Sequence, residues 1–507
     1  MLLGNLLQPA ARRTPGKSAL IFEGQAWTYA ELEEISHRVA ASLLRAGIRS
    51  GDRVALFLRN CPEMVFSYYG CFKAGAVAVP LNNRYQGPEV EYAVNHSGAR
   101  MIIVQQELFP EVAKVRPALA SVERYFVAGE AGTIPNVDNF AALLEDAGQP
   151  DTLPQMREED PAVILYTSGS TAQPKGVVHT HFSLTHTMIN QSTFQEMDDR
   201  EVSLVALSIC HIAGLAQQVL TTAFVGGTVA LLPRFEPGKF LEAIDSQRPT
   251  KILLLPEQVL EILDYPRAPR TDFSSLRCCI AGGDSVPLEA HRRFRELTGL
   301  EITETCGATE SFSYAMNPPF GRKKPGSIGQ PVHGTTLRLV DDANREVETG
   351  QAGEILVKSQ ANMKAYWRNP EETAKTLKDG WLYTGDLARA DEDGYYWFVG
   401  RKKNIIIRGG SNISPREVEE VLFQHPAVNV ACVVGKPDPA WGQTVTAYVS
   451  CKENLAPPTA ENLRAFTAER LAAYKVPEEI VILPELPLNP IGKVDRRQLA
   501  AWAASGR

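Results

Sequence analysis

The segment Tyr166-Thr167-Ser168-Gly169-Ser170-Thr171-Ala172-Gln173-Pro174-Lys175-Gly176 has the composition of an anion cradle. Small residues let a backbone curl until its N–H groups converge on phosphate oxygens. The hydroxyls of Thr167, Ser168, Ser170 and Thr171 add donors, and Lys175 adds a point charge. A Ser/Gly/Thr run can also be a plain linker. Here, however, the apolar run 162–166 leads straight into it and Pro-Lys-Gly closes it. It is not a Walker loop, which needs Lys between Gly and Ser or Thr; Lys175 follows Pro174 and precedes Gly176. No G-x-G-x-x-G opens a helix after a strand, so nicotinamide chemistry is disfavoured too.

The elements that must position this cradle are legible as alternation. Apolar runs at 54–58, 101–104, 162–166, 229–232, 251–255 and 278–281 alternate with helical patterns such as 31–46 and 287–297. This predicts an α/β fold: a large N-terminal domain of mostly parallel sheets with packed helices, residues 1–400. The polar stretch 145–161, with three prolines, separates two units ahead of the cradle strand. Leu2, Leu3, Leu6 and Leu7 predict a short amphipathic helix ending near Pro9.

Near residue 400 the texture changes. Gly400-Arg401-Lys402-Lys403 is a charged break, and 401–507 reads as a small α+β C-terminal domain, mobile on the family resemblance given below. Ser414, Pro415 and Glu417 take the N-cap, N1 and N3 positions of a helix, with Ile413 and Val418 as a hydrophobic staple. Strands at 429–434 and 444–449, a helix at 461–471 and a strand from 481 follow. A turn at Asn489-Pro490-Ile491-Gly492 then presents Lys493.

Charge and cysteine usage exclude several functions. With 52 basic and 59 acidic residues the net charge is −7, so no basic field exists to draw nucleic acid. The eight cysteines form neither a CxxC pair nor a Cys/His cluster at zinc spacing. They read as reduced thiols, and the chain as a cytoplasmic protein. No run reaches the ~18 apolar residues of a membrane span, so no integral membrane segment is expected.

Five further motifs follow the cradle in order: 304–310 (ETCGATE), 326–331 (GSIGQP), 380–387 (GWLYTGDL), 400–419 (GRKKNIIIRGGSNISPREVE) and Gly492-Lys493. Together they resemble, over nearly the full length, the adenylate-forming acyl-CoA synthetases, whose superfamily includes luciferases and the adenylation domains of peptide synthetases. The resemblance implies an ATP-dependent acid–thiol ligase using ATP, Mg²⁺ and CoA. A carboxylate attacks the α-phosphate of ATP, and a thiol then displaces AMP from the acyl-adenylate. It also implies the residue roles. Lys493 bridges carboxylate and α-phosphate, Glu310 holds Mg²⁺, Thr309 donates to phosphate, and His211 stands at the mouth of the acyl pocket. Residues 167–171 and Lys175 bind phosphate, backbone near Gly282 and Gly283 meets adenine, and Cys306 lies beside the base. Asp386 accepts from the ribose hydroxyls, with Arg401 beside it. Lys403 is the hinge; Gly409 and Gly410 line a tunnel for the pantetheine arm, and Trp441, Tyr474 and Lys475 face CoA.

The chain departs from the family pattern at three places. Cys306 stands where the family usually has Tyr, Ala172 replaces a glycine and Asn404 replaces an Asp. Without the ring at 306, an ATP KM above the family's usual range is expected. Small residues (Ala213, Gly214, Gly307, Ala308) beside Phe312, Tyr314 and Met316 predict an apolar fatty or aryl acid as substrate. Loading of a carrier-protein thiol is the alternative to free CoA, and the resemblance leaves a homodimer open.

Overall fold

The computed structural model describes residues 1–129, 134–145, 153–167, 174–284, 286–452, 455–489 and 493–506. Compactness divides the chain into two units: Met1–Leu337 with Val357–Tyr383, and Arg338–Leu356 with Thr384–Arg507. The chain thus crosses into the second unit at Tyr383/Thr384, ahead of 400/401.

The first unit is built on two large sheets. In one, Lys175–Thr180, Pro161–Thr167, Val77–Pro80, Arg53–Phe57, Met101–Gln105 and Arg124–Ala128 lie side by side, with short strands at the two edges. In the other, Phe312–Met316, Ile302–Ala308, Cys278–Gly282, Lys251–Leu254, Val202–Val205, Thr228–Leu231 and Ser18–Phe22 are neighbours. Pairing is parallel through the middle of both. It turns antiparallel at the cradle hairpin, where Thr167 faces Lys175, and between Ile302–Ala308 and Phe312–Met316. Parallel strands need both faces covered, and the cores follow that rule. Helices Tyr29–Arg45 and Pro62–Ala74 fill the space between the sheets. Helix Gly87–Ser97 covers the outer face of one sheet, and helices Pro237–Gln247, Pro256–Asp264 and Leu288–Thr298 that of the other.

Each of the six apolar runs forms a strand within a residue or so of its expected ends. Pro9 behaves differently from the expectation. A 3₁₀ turn, Leu3–Asn5, precedes it, and Pro9 lies in the first turn of helix Gln8–Arg13. Its missing N–H costs nothing there, so it starts a helix rather than ending one.

In the second unit, strands Ile406–Arg408, Ser411–Ile413, Gly442–Cys451, Val428–Asp438 and Glu479–Leu483 form one sheet. Helices Pro415–Phe423 and Ala460–Ala468 pack on one of its cores, and Arg496–Ser505 on the other. Ile413 and Val418 are both buried, as a staple requires. Ser414 is the N-cap residue, but its hydroxyl donates to the Val399 carbonyl instead of accepting from the helix. Glu417 pairs with Lys475 at 2.5 Å. The helix start is as expected; its polar atoms serve tertiary contacts.

Candidate active site

In the first unit the cradle strand, Pro161–Thr167, ends at Thr167, and the chain returns at Lys175 on the adjacent strand. Ser168, Gly169, Ser170 and Thr171 lie outside the described residues. Lys175 has a built environment. Its ammonium pairs with Glu372 and sits 4.9 Å from the centre of the Tyr366 ring. Tyr366 lies on a short edge strand paired with Val177, and its hydroxyl donates to Glu310 Oε1 at 2.6 Å. Burial, then the Glu310 charge, raise the Tyr366 phenol pKa, so it remains a donor. Glu310 is thereby oriented by a residue 56 positions away.

Thr309 is fixed from the other side. His179, fully buried in the strand that follows Lys175, contacts the Thr309 carbonyl through Nε2 at 2.7 Å and Ser183 Oγ through Nδ1 at 3.1 Å. A carbonyl only accepts, so Nε2 carries the proton and Nδ1 accepts from Ser183. Burial lowers the His179 pKa to about 4, which keeps the ring neutral and this tautomer in place at neutral pH. Lys175, Tyr366, Glu310, Thr309 and His179 thus form one connected network at the mouth of the cradle.

Gly282 ends strand Cys278–Gly282 and faces Thr305 on the neighbouring strand. A Cβ on Gly282 would lie 2.6 Å from the Thr305 carbonyl, so only glycine lets the two strand ends close up here. Gly283 follows directly, and Cys306 is the next residue after Thr305. These are carboxyl ends of parallel strands, where open α/β sheets bind ligands. The Cys306 thiol is half-buried and lies 3.2 Å from the hydroxyl of the buried Tyr314. Gly326, at the head of GSIGQP, donates its N–H to Glu304, and Glu304 lies 3.0 Å from His291.

His211 is held by its loop. Asn60 accepts from the Ile209 N–H at 2.9 Å and donates to the Leu207 and Leu232 carbonyls at 2.9 and 3.0 Å. Tyr68 donates to the Ile209 carbonyl at 2.8 Å. Burial pushes the neighbouring Cys210 thiol pKa up, but the His211 ring and the Ser208 hydroxyl outweigh it and bring it below the ordinary value.

The second unit carries the remaining residues. Asp386 and Arg401 face each other across an antiparallel pair, Nε to Oδ1 at 3.2 Å, with Asp386 buried and Arg401 exposed. Lys403 is exposed in the turn Lys402–Asn404. Gly409 and Gly410, with φ of +53° and +83°, form the turn between Ile406–Arg408 and Ser411–Ile413. Around that turn are Trp441, whose carbonyl accepts from the Gly409 N–H at 2.8 Å, and Arg408, which lies 5.3 Å from the Trp441 ring centre. Arg408 also donates to the Tyr474 carbonyl at 2.9 Å, and Lys475 lies 5.5 Å from the Tyr474 ring. Trp441 and Tyr474 are exposed. Gly409, Trp441, Tyr474 and Lys475 therefore share one surface.

Pro490, Ile491 and Gly492, most of the expected turn, lie outside the described residues; on either side of them Leu488 and Val494 form an antiparallel bridge, with Lys493 next to Val494. The Asn489 N–H donates to the Lys493 carbonyl at 2.7 Å, and the Lys493 N–H to Asn489 Oδ1 at 3.1 Å. Arg496, three residues on, pairs with Glu419 at 2.7 Å and donates to the Val433 carbonyl. Arg496 thereby ties the start of the last helix to helix Pro415–Phe423 and strand Val428–Asp438.

Sequence reasoning missed Tyr366, Glu372, His179 and Asn60. Only His179 left a local trace, four residues after Lys175 in the same strand. Among the described residues no cluster of three metal-ligating side chains exists, and no helix is long and apolar enough to cross a membrane.

Residues 7–367 match the model of the AMP-binding enzyme family, and 417–493 that of the AMP-binding enzyme C-terminal domain. The chain is 35% identical to a long-chain-fatty-acid–CoA ligase of Bacillus subtilis, covering 98% of this chain and 94% of that one. It is 37% identical to a feruloyl-CoA synthase of an Amycolatopsis species, covering 97% of each. Among solved structures it resembles the anthranilate CoA ligase AuaEII in complex with anthranoyl-AMP, with a TM-score of 0.93 and 30% identity over 100% of this chain and 98% of that one. The chain belongs to the AMP-binding enzyme family, as an adenylate-forming acyl-CoA synthetase. It is an AMP-forming acid–thiol ligase.

Proposed function

We propose that this enzyme joins a carboxylic acid with an apolar body, fatty or aryl, to coenzyme A in the cytoplasm. The acid's carboxylate oxygen attacks the α-phosphorus of ATP and pyrophosphate leaves. The CoA sulfur then attacks the acyl carbon, AMP leaves, and the thiol proton goes to solvent. The observation that carries this reading is the network in which Tyr366 orients Glu310, His179 anchors Thr309, and Lys175 lies over Tyr366. It joins the Glu310 carboxylate, the Thr309 backbone and the Lys175 ammonium close to where Thr167 and Lys175 face each other.

Glu310 fits a magnesium site. One of its oxygens accepts from Tyr366, and among the described residues no group of three metal-ligating side chains exists, so phosphate oxygens and water, the set Mg²⁺ prefers, would complete the coordination. Bound there, Mg²⁺ would neutralise phosphate charge. Asp386 would accept from the ribose hydroxyls, with Arg401 fixing its carboxylate. Lys493 would neutralise the meeting of carboxylate and α-phosphate, and domain rotation near Lys403 would exchange it for the Gly409–Trp441 surface. Lys175 would bring its point charge to phosphate already paired with Glu372.

The test is pyrophosphate release that depends on added acid, followed by product analysis with CoA and with a holo carrier protein. Thioester on CoA supports the reading. Thioester on the carrier alone assigns the acceptor to a protein, and acid-independent release overturns the adenylation step.

Two variants probe the nucleotide site. Glu372→Gln leaves a hydrogen-bonding partner for Lys175 but removes the opposing charge. An ion pair of this exposure is worth on the order of 1 kcal/mol, so ATP KM and the inhibition constant for pyrophosphate should both fall about fivefold; unchanged values would detach Lys175 from phosphate binding. Cys306→Tyr restores an aromatic face worth on the order of 1 kcal/mol and should lower ATP KM several-fold in steady-state assays.

A further inference from the structure

Two guanidinium groups share one tryptophan at the end of helix Gly87–Ser97. The guanidinium carbons of Arg53 and Arg368 lie 5.6 and 5.8 Å from the centre of the Trp367 ring. Both groups close on Gly98, the residue after the helix: a Cβ there would lie 2.9 Å from Arg53 Nη2 and 3.2 Å from Arg368 Nη2. Trp367 is itself tied to the cradle hairpin. Its backbone N–H donates to the Gly176 carbonyl at 2.7 Å and its indole N–H to the His96 carbonyl at 3.1 Å. His96 Nδ1 meets the Tyr166 hydroxyl at 2.9 Å, and Tyr92 donates to the Pro174 carbonyl at 3.0 Å. The cluster is thus bonded to the chain on both sides of the 168–173 loop.

The two arginines are provided for unequally. Arg53 donates to the Ser97, Gly51 and Gly98 carbonyls at 2.8, 3.0 and 2.7 Å and lies 3.9 Å from Asp52. Asp52 is already paired with Arg100, which also pairs with Glu123. Among the described residues the exposed Arg368 side chain makes neither a hydrogen bond nor an ion pair. Its backbone is left-handed, with a φ of +52°. That conformation is unfavourable for a residue with a side chain, and so is the approach of two like charges. Burial, and then the Arg368 charge, lower the His96 pKa. Burial lowers that of Arg53 as well; Asp52 opposes the fall and Arg368 adds to it. No contact of the Arg368 head with an acidic group offsets these costs among the described residues, whereas an anion from solution would offset the repulsion.

Room for an anion lies alongside. Arg368 lines a surface groove of about 380 Å³ together with Tyr366, Asn369 and Thr373. Thr373 Oγ1 accepts from the Tyr366 N–H at 2.9 Å and donates to the Asn369 carbonyl at 2.7 Å. Asn369 Oδ1 accepts from the Glu372 N–H at 3.0 Å, which leaves its NH₂ group unused among the described residues. The unused side-chain groups of the groove, the guanidinium and this amide nitrogen, are donors. Donors with surplus positive charge select an oxyanion, and guanidinium forks match phosphate. A phosphate group carries close to two charges and about three acceptor oxygens, enough to face both arginines at once.

We infer that Arg368 and Asn369, with Arg53 supplying a second charge, form an oxyanion site outside the nucleotide cradle that takes inorganic phosphate or pyrophosphate. The site's effect, though not its existence, rests on the proposed role of the 167–175 loop in holding ATP. An anion that fixes Arg368 against Trp367 steadies the Gly176 end of that loop through the Trp367 N–H. The groove shares its Tyr366 wall with the network that holds Lys175 and Glu310. Occupancy therefore tightens nucleotide binding, and by linkage nucleotide tightens the anion.

The experiment is isothermal titration of the full chain saturated with Mg²⁺ and β,γ-methylene-ATP, so that the catalytic phosphate positions are filled. Sodium phosphate and sodium pyrophosphate are added in separate runs at fixed ionic strength and free Mg²⁺. One equivalent should bind, and Arg368→Gln should weaken it at least about tenfold, as loss of a charge-assisted pair does. Arg368→Lys, which keeps the charge without the fork, should recover part of the affinity and serves if the Gln variant does not fold. The anion bound more tightly names the source: pyrophosphate makes it the product of adenylation, orthophosphate the surrounding solution. Absence of saturable binding of either anion overturns the inference, and so does equal binding by wild type and Arg368→Gln. In a second titration, phosphate should tighten β,γ-methylene-ATP about twofold in wild type and not in Arg368→Gln; an unchanged affinity overturns the coupling to the loop. Neither titration needs turnover, so failure to form any thioester removes the ligase reading and leaves the oxyanion site standing on its own binding.

Discussion

Lys493→Ala is expected to lower the rate of acyl-adenylate formation about a thousandfold while leaving thioester formation from supplied acyl-adenylate within about twofold of wild type. The first step brings a carboxylate anion onto a polyphosphate. Two unit charges at ~4 Å interact by about 4 kcal/mol at an effective dielectric near 20, which is close to a factor of a thousand in rate. One ammonium placed between them offsets that repulsion where charge accumulates. The base of the residue is fixed by the Asn489 hydrogen bonds, so the side chain swings from a defined point. The second step has a neutral acyl carbon and a departing AMP, and no such encounter of anions. Rapid-quench measurement of each half separates them, and an equal loss in both would remove Lys493 from its role and the domain exchange with it. Lys493→Arg should restore part of the first half only, because a planar guanidinium presents its charge differently from a compact ammonium.

The residues proposed to act through chemistry of their own were named from the sequence, by the resemblance of their motifs. Asp386 and Arg401 could be named from the motifs they sit in, and strand register then brought them together. Gly409 and Gly410 are a turn in either reading, and the structure shows the turn also serving as the seat of Trp441. What could not be read were the residues that orient others. Tyr366 and Glu372 reach Glu310 and Lys175 across 56 and 197 positions of sequence, and a lone Tyr or Glu has no local pattern that announces such a contact. Asn60 clamps the His211 loop from 149 positions away. Pairing of this kind depends on which helix covers which strand, and only the assembled layers decide that.

These orienting residues change how Lys175 is understood. Composition assigned it to phosphate as a point charge, and its ammonium is paired with Glu372 and rests against Tyr366. A lysine so balanced binds polyphosphate less tightly and releases pyrophosphate more readily. A ligase that must clear the same site for a thiol benefits from that moderation.

Gly409→Val should invert the Lys493 result, lowering thioester formation between about tenfold and a hundredfold while adenylation stays within about twofold. Gly409 has a φ of +53°, and a Cβ there would lie 2.8 Å from Trp441 Cε3 and 3.1 Å from Cζ3. The left-handed conformation costs a side-chain-bearing residue about 1–2 kcal/mol. Neither the backbone nor the ring can yield without disturbing the other, because the Gly409 N–H is bonded to the Trp441 carbonyl and Arg408 lies over the ring. The displaced indole would carry Arg408 and its contact with Tyr474 along, and Trp441 and Tyr474 are the residues proposed to face CoA. Gly410→Ala is the discriminating control. Gly410 has a φ of +83°, but no atom lies within 4 Å of its Cβ position, so that variant bears backbone strain and leaves Trp441 in place. If strain alone mattered, both variants would slow the thiol step alike. If the ring is what CoA meets, only Gly409→Val does so, and its CoA KM rises while its ATP KM holds.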